Sequence, residues 1–212
     1  MISPAIPPFF LLVVSPHAST QLIPVSLLNV IYDFSLGFEN MPIRNLWSLE
    51  PGECITAEKI FEVMKDCEVY FPLRDVGVDL MVIKGKKHVG IQVKESRYYT
   101  LEDHRKDNSW HDVNKKKFER DRSRIDFYIF LTYLPRYGEH KFSSFEHRFV
   151  IVPTEELAKR FAAKSAGKRG VYAFYFHFKG EKVVDRRVKI ENELMDYSQF
   201  LDAWNLVEEA LK

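Results

Sequence analysis

Residues 69–96 read VYFPLRDVGVDLMVIKGKKHVGIQVKES, and this stretch decides the fold expected for the chain. It contains two apolar runs with β-branched, alternating character, residues 78–83 and 88–93. A Lys-Gly-Lys-Lys turn separates them. Two such runs around a short glycine-containing turn are typical of a β-hairpin. The stretch therefore predicts two adjacent antiparallel strands.

Three polar residues stand at the same end of the two predicted strands. Asp79 lies at the start of the first strand, and Gln92 and Lys94 close the second. Because alternate side chains point to the same face of a strand, Gln92 and Lys94 share a face, and Asp79 reaches that face across the hairpin. Each polar group in a buried sheet needs a partner or a use. The pattern therefore indicates a functional site.

An acid, a hairpin and then (E/D/Q)-x-K resembles the core signature of the PD-(D/E)xK nuclease superfamily, also called restriction-endonuclease-like, in its Q-x-K variant. The sequence RDVGVDL followed by IQVKES is similar to segments of small archaeal and bacterial proteins of this group. The resemblance rests on three residues and their strand context, within residues 56–153. It implies an α/β fold with three layers, in which helices flank a central mixed β-sheet.

The resemblance also implies a site for phosphodiester hydrolysis. A magnesium or manganese ion prefers hard oxygen ligands, which Asp79, Gln92 and the backbone carbonyl of Val93 would supply. Lys94 would orient or help deprotonate the attacking water and offset charge on phosphorus. Gln92 stands where Glu is commoner, and its neutral oxygen should bind the metal more weakly unless another carboxylate helps.

A helix predicted over residues 56–67 offers that carboxylate. Thr56 is its expected N-cap, and an apolar stripe recurs at i, i+4 and i+7. The stripe consists of Ile60, Met64 and Cys67. In the resemblance a helix glutamate points into the metal site, and Glu58 fits that place best, with Glu62 second. A solvated helix face explains either glutamate equally well, and Asp75, before the hairpin, is a further candidate.

Composition limits the classes of function. With 46% hydrophobic residues and a formal net charge of +1, the chain is a folded globular protein without global basicity. Its N-terminal apolar run, residues 9–14, is too short for a membrane span. The sequence contains no glycine-rich phosphate-binding motif, so a nucleotide cofactor is not expected. Cys54 and Cys67 lack metal-type spacing, which favours thiols in a reducing compartment and a cytoplasmic location.

Contacts to nucleic acid are expected from local basic residues. The polar residues 97–124 carry lysines and arginines with aromatic residues interleaved, as in phosphate-binding and base-stacking surfaces. The expected phosphate contacts are Lys86, Lys87, Lys115, Lys116, Lys117 and Arg120. A solvated helix face explains the same residues equally well, because acids are mixed in. His104 and His111 are expected mainly at the surface, with a smaller chance of touching phosphate.

The remaining pattern completes the expected sheet. Further strands are predicted at residues 69–73, 125–134, 149–152, 171–178 and 182–188, and helices within 97–124, from 153 onward and at 197–211. The order helix, strand, hairpin, helix, strand, strand predicts a mixed sheet with helices on its faces. Basic residues within 159–169 complement the dipole of the helix that begins at 153, or form a second phosphate-binding patch; the first reading is favoured.

The chain divides into an extension and one domain. Residues 1–42 are rich in proline and contain either a helix over 21–38 or a misassigned start, with Met41 as the first residue. Residues 43–212 form a single nuclease-like domain, with its core at 56–153 and a C-terminal strand-helix elaboration. The expected function is a magnesium-dependent DNA endonuclease, acting as a homodimer because a duplex has two strands to cut. The alternative is a catalytically inactive nucleic-acid-binding module of the same fold.

Overall fold

The described part of the chain combines strands and helices in an α/β arrangement. The computed structural model describes residues 11–13, 49–73, 77–96, 108–138, 142–162, 164, 166–167, 169–186 and 195–212. The strands are β1 (Leu11–Val13), β2 (Glu68–Pro72), β3 (Leu80–Lys84), β4 (Lys87–Glu95), β5 (Asn108–Asn114), β6 (Phe127–Tyr137), β7 (Phe142–Pro153), β8 (Val171–Lys179) and β9 (Lys182–Asp185). The α-helices are α1 (Pro51–Val63), α2 (Lys115–Asp121), α3 (Thr154–Ala162) and α4 (Trp204–Ala210).

Six strands form a mixed sheet in the order β1-β2-β3-β4-β6-β7. The predicted hairpin is confirmed: β3 and β4 are antiparallel, and Gly85 in their turn has φ +62°. The strands β4 and β6 run parallel, so their carboxyl ends meet at one end of the sheet. Because β3 is antiparallel to β4, it begins at that same end. The start of β3 and the ends of β4 and β6 therefore come together.

Each face of this sheet is covered by a separate apolar cluster. On one face α1 and α4 pack, with Ile60 and Val207 fully buried against strand residues that include Ile91. On the other face lies a second, antiparallel sheet in the order β5-β8-β9, together with α3. Alternation along β4 places Ile91 and Val93 toward α1, and hence Gln92 and Lys94 toward the second sheet.

Helix α1 begins earlier than the sequence predicted. It starts at Pro51, whose ring fixes φ at a helical value and whose missing N–H costs nothing in the first turn. Thr56 is therefore not the N-cap; it lies inside the helix, where its hydroxyl donates to the Gly52 carbonyl at 2.6 Å. The helix ends at Val63, so Cys67 lies beyond it.

The polar stretch 97–124 contains a strand that the sequence did not predict. Strand β5 alternates buried and exposed residues, but two of its inward residues, Ser109 and His111, are polar. Polar inward residues hide the apolar alternation by which a strand is recognised. The helix expected in this stretch is confirmed only as the short α2 that follows.

The predicted C-terminal helix is divided. A 3-10 turn at Ser198–Phe200 precedes α4, and Asp202, with φ +49°, separates the two. Asp202 accepts from the Phe149 amide at 2.9 Å and from Arg148 Nε at 2.7 Å, which fastens this bend to the edge strand β7. These tertiary contacts explain why one continuous helix does not form.

Strand β1, within the predicted N-terminal extension, pairs antiparallel with β2. The predictions for the helix at 21–38, for Met41, and for Asp75 and His104 lie outside the described residues. Within the described ranges, no helix is both long and apolar enough to span a membrane.

Candidate active site

Asp79 is fixed at the end of the hairpin by backbone contacts. Its amide donates to the Ile91 carbonyl at 2.8 Å, which extends the antiparallel ladder by one residue beyond β3. Its carboxylate oxygen Oδ2 accepts from the Val93 amide at 2.8 Å. Asp79 is only 8% exposed, so this carboxylate is held in a defined position at the boundary between the sheet and solvent.

Gln92 lies directly across from Asp79 and is also buried. Its amide nitrogen Nε2 donates to Asp79 Oδ2, and it also lies 3.3 Å from the Val93 carbonyl oxygen. A partly positive NH₂ group therefore stands between a carboxylate and a carbonyl oxygen. These are two of the oxygen atoms that the sequence assigned to a metal ion.

Lys94 follows Gln92 on the same face of β4. The strand rise separates their Cα atoms by about 7 Å, within reach of one small ligand. Lys94 is half-buried and pairs across the parallel ladder with Phe130. The structure therefore brings together Asp79, Gln92, the Val93 backbone and the strand position of Lys94, as the hairpin pattern predicted.

His111 is buried beside Lys94, and the expectation that it lies at the surface was wrong. Its Nε2 lies 3.0 Å from Ser109 Oγ and 3.3 Å from Thr132 Oγ1, and the residue is 1% exposed. Burial lowers the pKa of His111 to about 3, and the nearby Lys94 charge acts in the same direction, against the effect of the Lys94 and Glu95 backbone. At neutral pH the imidazole is therefore uncharged.

The buried acid of α1 is Glu53, which the sequence analysis did not single out. Glu58 and Glu62 lie on the exposed side of the helix, and Glu62 pairs with Lys59 at 2.8 Å. Glu53 is 3% exposed and precedes the buried Ala57 and Ile60 by four and seven residues. That spacing was the available signal; it was missed because the helix was expected to begin at residue 56.

The first turn of α1 contacts the end of β4. The Gly52 amide donates to Glu95 Oε2 at 3.2 Å, and Tyr133 donates to Glu95 Oε1 at 2.8 Å. A Cβ on Gly52 would lie 2.8 Å from Glu95 Oε2, so any larger residue there would displace the Glu95 side chain. Glu53 is thereby held near the end of the sheet at which Lys94 lies, although α1 packs on the opposite face.

Asp121 is a second buried acid that the sequence analysis did not single out. It lies on α2, is 2% exposed, and contacts Gly77 in the segment that leads to Asp79. Burial raises the pKa of Tyr128, and the charges of Asp121 and Asp79 raise it further, so both acids lie near this tyrosine. Tyr128 pairs with Gln92 across the parallel ladder. The spacing of Phe118 and Asp121 on one helix face was the only local signal.

The predicted phosphate-binding residues fall into two separate groups. Lys86 and Lys87 are exposed in the hairpin turn; Lys87 lies five residues from Gln92, about 17 Å along the strand. They are therefore at the far end of the hairpin from Asp79. The other group is on α2, next to the Asp79 segment, and consists of Lys115, Lys116, Lys117 and Arg120.

Two of the basic residues within 159–169, at the end of α3, are buried and therefore do not contribute to a phosphate-binding surface. Arg160 is 4% exposed, donates to Glu156 Oε1 at 3.0 Å and to the Asp196 carbonyl at 2.9 Å. Lys164 is buried in an ion pair with Asp185. Both cations are thus used to fasten α3 to neighbouring segments.

Within the described residues, no three carboxylate, imidazole or thiol side chains converge closely enough to hold a metal ion. A metal at Asp79 would therefore need amide and carbonyl oxygens among its ligands, which suits Mg²⁺ because this ion accepts few protein ligands and keeps several waters. No family model matches the chain, and neither a curated protein nor a solved structure matches it.

Proposed function

We propose that this protein is a magnesium-dependent endodeoxyribonuclease with a restriction-endonuclease-like fold. One observation carries the proposal: the Gln92 amide group stands between the Asp79 carboxylate and the Val93 carbonyl, on the sheet face that Lys94 shares. The acid and the amide can supply oxygen ligands to a metal ion, and the lysine can stabilise negative charge, which are roles in metal-assisted phosphodiester hydrolysis.

The order of the elements supports the same reading. Helix α1, strand β2, the β3–β4 hairpin, α2 and β6 follow one another as the resemblance implies, apart from the inserted β5. The parallel pairing of β4 with β6 makes the sheet mixed, with its catalytic candidates at the carboxyl end of β4.

The ligand set fits a divalent cation with hard-ion preferences. Asp79 would supply a carboxylate oxygen and Val93 its carbonyl, and a half-turn of the Gln92 amide would present Oε1 in place of Nε2. Glu53 replaces Glu58 and Glu62 as the proposed helix carboxylate, because it is the buried acid of α1. When bound, the ion would polarise the phosphate and lower the pKa of a water molecule.

The chain's own groups would position the remaining reactants. Lys94 would orient the attacking water and stabilise negative charge that develops on the phosphate oxygens. Because the buried His111 is uncharged, it would add no second positive charge near Lys94.

We further propose a homodimer, which would supply one site for each strand of a duplex. We also propose a cytoplasmic location, which suits the free thiols of Cys54 and Cys67.

The test is the substitution Lys94→Ala, assayed by nicking of supercoiled plasmid in magnesium. We expect the rate to fall by about a hundredfold or more, since an acid-base or charge-stabilising group contributes that much. Lys65→Ala, at an exposed position in the segment after α1, is the control and should nick at the wild-type rate. Binding of a labelled duplex in EDTA should be unchanged in both variants. Wild-type nicking by Lys94→Ala would contradict the proposal.

A nucleic-acid-binding module without hydrolysis is the second candidate. It is favoured by the hydrogen bond from Gln92 to Asp79, which satisfies the carboxylate without a cation. Such a module would retain a duplex in a salt-dependent manner and would nick no plasmid in magnesium or manganese. The plasmid-nicking assay on the wild-type protein distinguishes the two candidates without any variant.

A further inference from the structure

Asp121 connects the segment before Asp79 with a surface arginine. On one side its carboxylate contacts Gly77: a Cβ there would lie 2.5 Å from Asp121 Oδ2. On the other side it accepts from Arg120, with Nε to Oδ1 and Nη2 to Oδ2 both at 2.7 Å. One buried carboxylate therefore touches both the segment that leads to Asp79 and a basic residue of α2.

The ion pair is strongly asymmetric in exposure. The Arg120 side chain is 65% exposed, whereas that of Asp121 is 3% exposed. Two parallel N–H···O bonds fix the plane of a guanidinium, so the orientation of Arg120 is set by an acid that cannot itself move into solvent. Burying a carboxylate has a desolvation cost, and an exposed arginine compensates for it only in part. The arrangement is therefore better suited to orienting Arg120 than to stabilising the fold.

The partner of this arginine, Asp121, contacts the segment that leads to Asp79. Gly77 has φ +87° and precedes Asp79 by two residues, at most about 7 Å of chain. Tyr128, across the ladder from Gln92, is near both Asp79 and Asp121, as its raised pKa indicates. Asp121, which binds the guanidinium, thus lies near the end of the hairpin at which Asp79 lies, whereas Lys86 and Lys87 lie at the opposite end.

We propose that Asp121 is a positioning residue that presents Arg120 to a backbone phosphate of the nucleic-acid substrate, next to the phosphate that is hydrolysed. This inference rests on the function proposed above and adds to it the group that fixes the strand. Arginine suits the task because its guanidinium has two donor edges: the Nε and Nη2 edge binds Asp121, and the Nη1 and Nη2 edge would bind phosphate oxygens in a defined orientation, which a lysine ammonium does not do.

The sign of one substitution separates positioning from simple charge attraction. If the basic residues of α2 attracted DNA only by their charge, Asp121→Asn would remove a negative charge and tighten binding. If Asp121 orients Arg120, the same substitution weakens binding. Arg120→Lys gives a second test, because it keeps the charge and loses the fork.

The experiment measures binding of a short fluorescein-labelled DNA duplex by anisotropy in EDTA, over a series of salt concentrations. We expect Asp121→Asn and Arg120→Lys each to weaken binding about three- to tenfold, and the double variant to lose no more than the worse single variant. Lys116→Ala is the matched control on the same helix; it should lose less affinity than Arg120→Ala, which should also lower the salt slope by about one.

Tighter binding by Asp121→Asn, or wild-type binding by Arg120→Lys, would overturn the inference. Arg120 is exposed, so Arg120→Lys remains decisive even if Asp121→Asn fails to fold, which its melting curve would reveal. The proposed function fails in a different way: the wild-type protein then nicks no plasmid in magnesium or manganese, whatever the variants do. If the wild type nicks plasmid and the two variants bind as well as Lys116→Ala does, only the positioning role of Asp121 is excluded.

Discussion

The side chain of His111 illustrates how a single residue acquires its chemistry from burial. In the sequence it is one of many polar residues in the stretch 97–124. In the folded protein it is 1% exposed and packs against Phe130 and Phe176. The Lys94 charge lies nearby, so a second cation there would be unfavourable. Its neutrality is therefore a property of the fold.

This neutrality predicts how stability depends on pH. The folded-state pKa of His111 is lowered to about 3, so between pH 6.5 and 3 the unfolded chain binds more protons at this residue than the folded one. The free energy of unfolding should therefore decrease as pH falls through this range, by up to about 1.4 kcal/mol per pH unit from this residue. Urea unfolding at several pH values measures it.

The matched variants are His111→Gln and His88→Gln, since His88 is exposed. Removing the imidazole at position 111 should flatten the acid-side loss of stability, and removing it at position 88 should leave the loss unchanged. Equal slopes for the wild type and His111→Gln would show that the histidine does not titrate in this way.

At the scale of elements, Gly90 sets the approach of β4 to the chain entering β6. Its amide donates to Asp126 Oδ2 at 2.7 Å, and its carbonyl accepts from the Asp126 amide at 2.8 Å. A Cβ on Gly90 would overlap the carbonyl oxygen of Arg124, which is backbone and cannot rotate away. This contact helps to hold Gln92 opposite Tyr128 in the parallel register.

Gly90→Ala should therefore lower the free energy of unfolding by about 1–3 kcal/mol, because the added methyl forces a backbone shift. Gly138→Ala is the control: a Cβ there has nothing within 4 Å, and we expect a change of less than about 0.5 kcal/mol. Urea unfolding of both variants tests this. Similar stability of the two variants would mean that β4 and the chain entering β6 can separate without cost.

Elements were predicted well where their periodicity was local and apolar. The hairpin, β6 and α3 are confirmed, because alternating or continuous apolar residues bounded by turn signals identify them without reference to the rest of the chain. The start of α1 and the strand β5 were missed. In both cases the inward side includes polar residues, Glu53 in the helix and His111 in the strand, whose burial depends on distant contacts.

At the scale of the whole molecule, a buried ion pair joins α3 to the second sheet. The side chains of Lys164 and Asp185 are 7% and 1% exposed, and the ammonium also lies 4.0 Å from the centre of the Phe174 ring. Asp185 accepts from the Tyr175 amide at 3.0 Å as well. The pair connects the segment after α3 with β8 and β9, which cover the face of the main sheet toward which Gln92 and Lys94 point.

Asp185→Ala should lower the free energy of unfolding by about 3–5 kcal/mol, because it leaves a buried ammonium without its counter-ion. Lys159→Ala, which removes the exposed partner of Glu156, should change it by less than about 0.5 kcal/mol. Guanidinium or urea denaturation compares the two. A small effect of Asp185→Ala would indicate that Lys164 reaches solvent when its partner is removed.

The sequence by itself determined the hairpin and the convergence of Asp79, Gln92 and Lys94, because strand alternation and a short turn fix which side chains share a face. Only the tertiary structure decided which further acids are buried near that end of the sheet. Glu53 rather than Glu58 faces inward because of where α1 begins, and Asp121 meets Gly77 across 44 positions of sequence. Spacing along a helix can show that an acid is turned inward, but the residues that it meets depend on how the elements pack.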